Sequence, residues 1–197
     1  MKSKKKEKLL ESALFLFSRN GFHANGIDAI LLKARVAKST LYKHFPSKEA
    51  LIIATLERQD ERFRNWLVRS VEEAKVSAEE KLYLLFDLYK VWEQTHNFNG
   101  SIFNKASMEY AELDSPIHAV AAMHKKEMLR YVKQLVVDVV GSADADSLST
   151  QIMLLLDGAT AAGQIFKSSA AFDEAKVATQ KLIETSMPNT AFYAKAS

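Results

Sequence analysis

A shortage of chain-breakers constrains this sequence more than any other feature. Its 197 residues include 3 prolines and 6 glycines, which leaves little room for strands joined by tight turns. Apolar residues, meanwhile, recur at helical spacing along nearly the whole length. Leu9, Leu10, Ala13, Leu16 and Phe17 form one such stripe, and Asn20-Gly21 stops it with residues that tolerate a left-handed backbone. Asn25 can cap a short second helix carrying Ile27, Ile30, Leu31 and Ala34. A turn at Arg35-Val36-Ala37 leads to a third helix over about 38–45. Pro46 ends it, and Ser47 caps a long fourth that runs to about Glu73.

The pattern then repeats. Ser77 with Glu80 is a capping box opening a helix with Leu82, Leu85, Phe86, Tyr89 and Trp92 on one stripe. Residues 96–101 read as a loop and about 102–112 as a helix. Ser115-Pro116 starts a long helix to about Val140, and 141–147 is a break. Helices over about 145–167 and 172–186 finish the chain, with Met187-Pro188 stopping the last. The expected fold is all-α, with about nine helices and no strand.

Charge divides the chain where the pattern does not. Residues 1–50 hold 11 Lys/Arg against 4 Asp/Glu, a net of +7, and the rest is net −4 within a chain total of +3. A basic head on a mildly acidic body suits a protein whose head meets a polyanion. The lysines at 2–8 also fit a solubilising arm. No apolar run approaches the roughly 18 residues of a membrane span. Glu7, Glu11 and Ser18-Arg19-Asn20 interrupt any signal-peptide pattern, so a cytoplasmic location is expected. The absence of cysteine excludes disulfides, thiol nucleophiles and cysteine-ligated zinc.

The segment VAKSTLYKHFPSKEAL, from residue 36, is a short cationic stretch of hydroxyls and aromatics closed by a helix start. Val36, Leu41 and Phe45 can fix one face of its short helix. Lys38, Ser39, Thr40, Tyr42, Lys43 and His44 are then left without a structural task, while Leu32 and Lys33 stay free on the preceding helix. Two short helices joined by a tight turn, the second rich in donors, match a recognition helix for the DNA major groove. A plain helical hairpin is the alternative.

These residues carry a resemblance. Gly21-Phe22 before a short helix, then A-x-V-x-K-x-T-L-Y-x-H-F-x-S-K-E-x-L from Ala34 to Leu51, resembles the DNA-binding head of the TetR-type (tetracycline-repressor-like) regulators. The match runs from about Leu9 to Leu51 and extends loosely, as a nine-helix plan, over the whole chain. The resemblance implies a helix-turn-helix DNA-binding domain over 1–50 and an effector-binding and dimerisation domain over 51–197. It implies a homodimer on a palindromic double-stranded DNA operator, most often a repressor, released by a small hydrophobic or aromatic effector. Lys38, Thr40, Tyr42 and Lys48 fall where the family touches phosphates or sugars, and Ser39, Lys43 and His44 where it touches base edges. The start of the second helix, around Asn25, would offer its amides to a phosphate. Two positions depart from the pattern. Arg35 stands where the turn usually has glycine, and Ala37 replaces the serine that usually caps the third helix.

The body offers two sites. In IMLLLDGATAAGQIF (152–166), small residues let a second helix approach. Ile152, Leu155, Leu156, Ala159, Ala162, Gly163 and Phe166 are the candidate dimer interface, with an internal core helix as the alternative. Phe63, Trp66, Phe86, Tyr89, Trp92, Phe103, Met108 and Met128 could line an apolar effector pocket, oriented by Asn104, Glu109 and His124, or could simply be core. No metal is expected, because His96, His118 and His124 lack diagnostic spacing. No cofactor is implied. Nor does any nucleophile–base pair or phosphate loop point to an enzyme.

Overall fold

The structure, a computed structural model, describes residues 4–94 and 99–186. Within them lie α1 (Lys4–Asn20), α2 (Ile27–Ala34), α3 (Lys38–His44), α4 (Lys48–Glu72), α5 (Ala78–Glu93), α6 (Ile102–Glu109), α7 (Pro116–Val140), α8 (Ala145–Phe166) and α9 (Ala170–Ser186), and no strand among the described residues. Helix starts follow local chemistry. Ser47 Oγ accepts the Ala50 amide at 3.0 Å ahead of α4. The Ser77–Glu80 box closes reciprocally at α5. Ser115 Oγ accepts the His118 amide at 3.4 Å beside Pro116. At the other ends, Gly21 and Gly141 take left-handed φ values of 81°. The expected stop at Met187-Pro188 and the candidate His96 lie outside the described residues.

Two boundaries differ from expectation. The helix expected to reach 112 ends at Glu109, where Tyr110 leaves helical geometry. Asn25 does not cap α2, because that role falls to Gly26, which has no side-chain cap bond. Asn25 is instead buried, and its Nδ2 donates to the carbonyls of Leu16 and Gly21 at 3.1 and 2.6 Å. An amide that can satisfy two orphaned carbonyls is worth more inside than at a cap.

The described chain forms two compact units. The first takes its residues from 1–69 and 95–127. Its core joins Leu9, Phe17, Phe22, Ile30, Leu41 and Leu51 of the head to Phe103, Ala106 and Ile117 in one apolar cluster. Thus α6 and the start of α7 share a core with α1 to α3. The second unit takes its residues from 70–94 and 128–197. There α5, α8 and α9 pack on one another, burying Leu82, Phe86, Leu148, Ile152, Leu156, Phe172 and Ile183. Lys90–Asp173 and Lys176–Asp87, both at 2.7 Å, link α5 to α9 at the rim. No helix among the described residues is long and apolar enough to cross a membrane.

In the second unit most residues of the expected dimer face are turned inward. Ile152, Leu156, Ala159 and Gly163 are buried within the chain's own unit, and Leu155 and Ala162 are half-buried. A Cβ on Gly163 would stand 1.8 Å from Glu93 Oε1 of α5, so this glycine admits an internal neighbour. Glu93 Oε2 is itself buried without a hydrogen-bond partner, and burial pushes its carboxyl above the usual range. Of the residues expected at the interface, only Phe166 stands well exposed, at 75%. The outward stripe of α8 runs instead through Leu154, Gly158, Ala161 and Ile165, all exposed. Small residues occur on both faces of this helix, one set serving the core and the other open.

Candidate nucleic-acid interface

α3 is held by very little. Leu41 has no exposed surface and Phe45, just past its end, has 3%. Both belong to the apolar cluster built with α1, α2 and α4. The rest of α3 faces outward: Lys38, Ser39, Tyr42 and Lys43 are exposed, and Thr40 and His44 are half-exposed. Among the described residues, no side-chain hydrogen bond or ion pair engages Lys38, Ser39, Tyr42 or Lys43. Lys43 and His44 sit in the last turn, where cations complement the helix dipole. As expected, Ala37 leaves α3 without a side-chain cap.

The turn before α3 keeps its geometry despite its sequence. Arg35 adopts φ 53°, ψ 49°. Its amide donates to Leu32 O at 3.3 Å and the Val36 amide donates to Leu31 O at 3.2 Å. That pair of bonds is the Schellman closure that glycine usually supplies, here completed by a residue whose Cβ costs about 1 kcal/mol in the left-handed region. Leu31 and Val36 pack against the cluster beneath, which helps hold the strained residue in place. Nearby, Leu32 is 81% exposed on α2. Lys33 lies over the Phe15 ring at 3.5 Å, so its ammonium is steadied by α1.

Two expected DNA ligands are turned inward. Asn25 is the buried bracket already described. Lys48, the first residue of α4, is half-buried, and its Nζ donates to Phe22 O at 2.8 Å. Burial lowers its ammonium pKa, opposed by the charge of Glu109. Its neighbours Lys38 and Lys43 keep their ammonium groups on the open face.

The candidate effector residues separate by unit. In the first, Phe63 lies 5.9 Å from Trp66 and 6.2 Å from His124, ring centre to ring centre. Phe103 stacks on His124 at 3.7 Å with an 11° tilt. His124 is buried, and its Nδ1 lies 2.7 Å from Asp60 Oδ1. Burial holds the imidazole pKa low, against the pull of Asp60. Burial acts the other way on Asp60, but hydrogen bonds from Arg64 and His124 outweigh it and hold that carboxyl below its usual value. Asn104, half-buried in α6, donates its backbone amide to the Ser101 cap at 3.3 Å. In the second unit Phe86, Tyr89 and Met128 are buried, and the Tyr89 and Trp92 rings meet edge to face at 6.2 Å. Two candidates do not line anything apolar. Met108 is 79% exposed, and Glu109 is bonded to the backbone of the head. His118 Nδ1 lies 3.0 Å from Tyr110 O, and no group of metal-ligating side chains occurs among the described residues.

Known proteins share both the head and the whole arrangement. A family model described as bacterial regulatory proteins of the TetR family matches residues 9–55. The crystal structure of SCO4454, a TetR-family transcriptional regulator from Streptomyces coelicolor, superposes with a TM-score of 0.87 at 26% identity, covering 93% of this chain and 96% of that one. Residues 9–55 carry the TetR-family DNA-binding head, and the whole chain shares the fold of TetR-family regulators. The head is thus similar to the helix-turn-helix DNA-binding domain of TetR-type transcriptional regulators. The HTH-type regulator YxaF of Bacillus subtilis is 23% identical over 155 residues, 78% of this chain and 81% of its own. UidR of Escherichia coli is 44% identical over 55 residues, 28% of each chain. The TetR-type signature thus lies in the segment that carries α3.

Sequence reasoning missed the part of Glu109 and its partners Gly21, His23 and Tyr110. Gly21 was legible only as a helix stop. Nothing local to Gly21 or Phe22 pointed to a carboxylate 87 residues beyond Phe22.

Proposed function

We propose that this protein is a TetR-type regulator, a cytoplasmic repressor that binds a palindromic operator as a homodimer and is released by a small hydrophobic or aromatic effector. The observation that carries the reading is the open face of α3, where no side-chain hydrogen bond or ion pair engages Lys38, Ser39, Tyr42 or Lys43. Lys38, Thr40 and Tyr42 supply phosphate and sugar contacts, which set register, while Ser39, Lys43 and His44 reach base edges. The amides that open α2, uncapped by any side chain, suit a further phosphate. Asn25 and Lys48 have no part in this set.

Residues 1–50 do the reading, and 51–197 dimerise and bind the effector, with no catalytic role. The outward stripe of α8 (Leu154, Gly158, Ala161, Ile165) together with Phe166 suits a twofold helix pairing, because its small residues allow close approach and its large ones remain uncovered. Effector binding draws on Phe63, Trp66, Phe103, Asn104 and His124 in the first unit and on Phe86, Tyr89, Trp92 and Met128 in the second. α4 starts directly after α3 and carries Phe63 and Trp66. A ligand that tilts it therefore moves the reading helix. Paired heads must stay about 34 Å apart to engage successive grooves, so a small tilt suffices for release.

Selection of bound fragments from random-sequence DNA tests this reading. A palindromic consensus with half-sites one helical turn apart is the expected outcome. Recovery of no sequence preference at low salt would refute it.

A further inference from the structure

We infer that Glu109 is a positioning residue for DNA recognition, latching the end of α6 into the backbone that sets the angle of the helix-turn-helix. The inference rests on the reading of α3 as the DNA-contacting helix. Glu109 closes α6, and its two carboxylate oxygens each lie 2.9 Å from the Phe22 amide. Oε2 also accepts the His23 amide at 2.7 Å. Two successive amides converge on one anion because Gly21, at φ +81°, turns the backbone so that both point the same way. The glycine is required twice over, since a Cβ there would stand 2.3 Å from Glu109 Oε1. On its other side the same peptide segment is fixed by Lys48, whose ammonium donates to Phe22 O at 2.8 Å.

The surroundings reinforce the latch. His23 Nε2 lies 3.0 Å from Glu109 O, and its ring packs on Tyr110 at 4.7 Å. Lys105, one turn earlier in α6, donates to the carbonyl of Ser18 in the last turn of α1. A carboxylate held by charge-assisted bonds to main-chain amides is a directional restraint, unlike the apolar packing beneath it. Its position matters because Gly21–His23 lies only three residues before α2 begins at Ile27. α3 follows α2 through the closed turn at Arg35. Fixing the peptide at 21–23 therefore fixes the pitch at which α3 is presented. The other end of α6 is anchored by Phe103, stacked on the buried His124. Movement at that ring has a rigid eight-residue path to the head.

The test uses the full chain, its selected operator and a scrambled duplex. Glu109→Gln keeps the shape but places an amide before two N–H donors. It is expected to weaken operator binding about tenfold, roughly the weight of one hydrogen bond to a charged group. Affinity for the scrambled duplex and the salt slope are expected to stay at wild-type values, because no phosphate contact is lost. Amide exchange at Phe22 and His23 should quicken while exchange in the core of α4 does not. Gly21→Ala, which displaces the same carboxylate, should lose operator affinity too, and the double variant should lose less than the two losses combined. If Glu109→Gln fails to fold, His23→Ala, which removes the ring contact with Tyr110 and the bond to Glu109 O but keeps the carboxylate on the amides, reads the same latch through a smaller loss. Wild-type operator affinity in folded Glu109→Gln would overturn the inference, as would equal losses on both duplexes. A wild-type protein that binds no DNA would instead overturn the proposed function itself.

Discussion

Truncating Leu154 to alanine should split the proposed dimer without unfolding the subunit. Leu154 is 67% exposed in the single chain, on the outward stripe of α8. The change removes three carbon groups, each worth about 0.8 kcal/mol when fully buried. Covering about two-thirds of that surface contributes roughly 1.6 kcal/mol per subunit, and a twofold interface counts it twice, for roughly 3 kcal/mol. At about 1.4 kcal/mol per decade, the dimer dissociation constant should rise about a hundredfold. Sedimentation across a dilution series measures it. Ile152→Ala is the control on the opposite face, where no surface is exposed. It should cost about 2–5 kcal/mol of folding stability while leaving the association of folded chains unchanged. Gly163→Leu belongs with the control, since its side chain would collide with Glu93. Should Leu154→Ala associate as tightly as wild type while Ile152→Ala dissociates, the assignment of the two faces is wrong.

Two other perturbations bear on the account. Burial depresses the His124 imidazole in the folded chain, so the unfolded chain binds that proton first as pH falls. The associated stability is complete above the ordinary imidazole value of about 6.5 and is lost as pH drops through the depressed one. Urea midpoints should fall between pH 7.5 and 5, less steeply in His124→Gln; an equal slope in both proteins would remove His124 as the cause. Arg35→Gly relieves the left-handed residue and should raise folding stability by roughly 1 kcal/mol, read from thermal unfolding. The same variant should lower the DNA-binding salt slope by about one unit if the exposed guanidinium meets a phosphate. A lower melting temperature would show that Arg35 makes a contact outweighing its strain.

Much of this molecule was legible because its signals are local. A capping serine, a capping box and a proline at the first helical position each act within four residues, so Ser47, Ser77 and Ser115-Pro116 marked helix starts correctly. The open donors of α3 were equally visible, since Leu41 and Phe45 alone fix its inner face. Partners distant in sequence were not visible. Asn25 looks like a cap until the carbonyls of Leu16 and Gly21 are brought beside it. Lys48 looks like a phosphate ligand until Phe22 O is placed within its reach. In α8, the small residues marked a helix that another could approach closely. Whether that neighbour lies in the same chain or in a second copy was not legible, nor was the separate outward stripe through Leu154 and Ile165. Met108 and Glu109 occupy the same short helix, and only tertiary packing decides that one is left open and the other locked to the head.

The central claim is that α3 reads DNA sequence with its outward side chains. Titrating operator and scrambled duplexes over a range of salt, with wild type, Lys38→Ala and Lys43→Ala, tests it most directly. The account predicts that Lys38→Ala weakens both duplexes alike and reduces the salt slope by about one unit, as loss of a phosphate contact should. It predicts that Lys43→Ala selectively loses the preference for operator, by about 1–3 kcal/mol. Equal discrimination between the two duplexes in wild type and Lys43→Ala would contradict it.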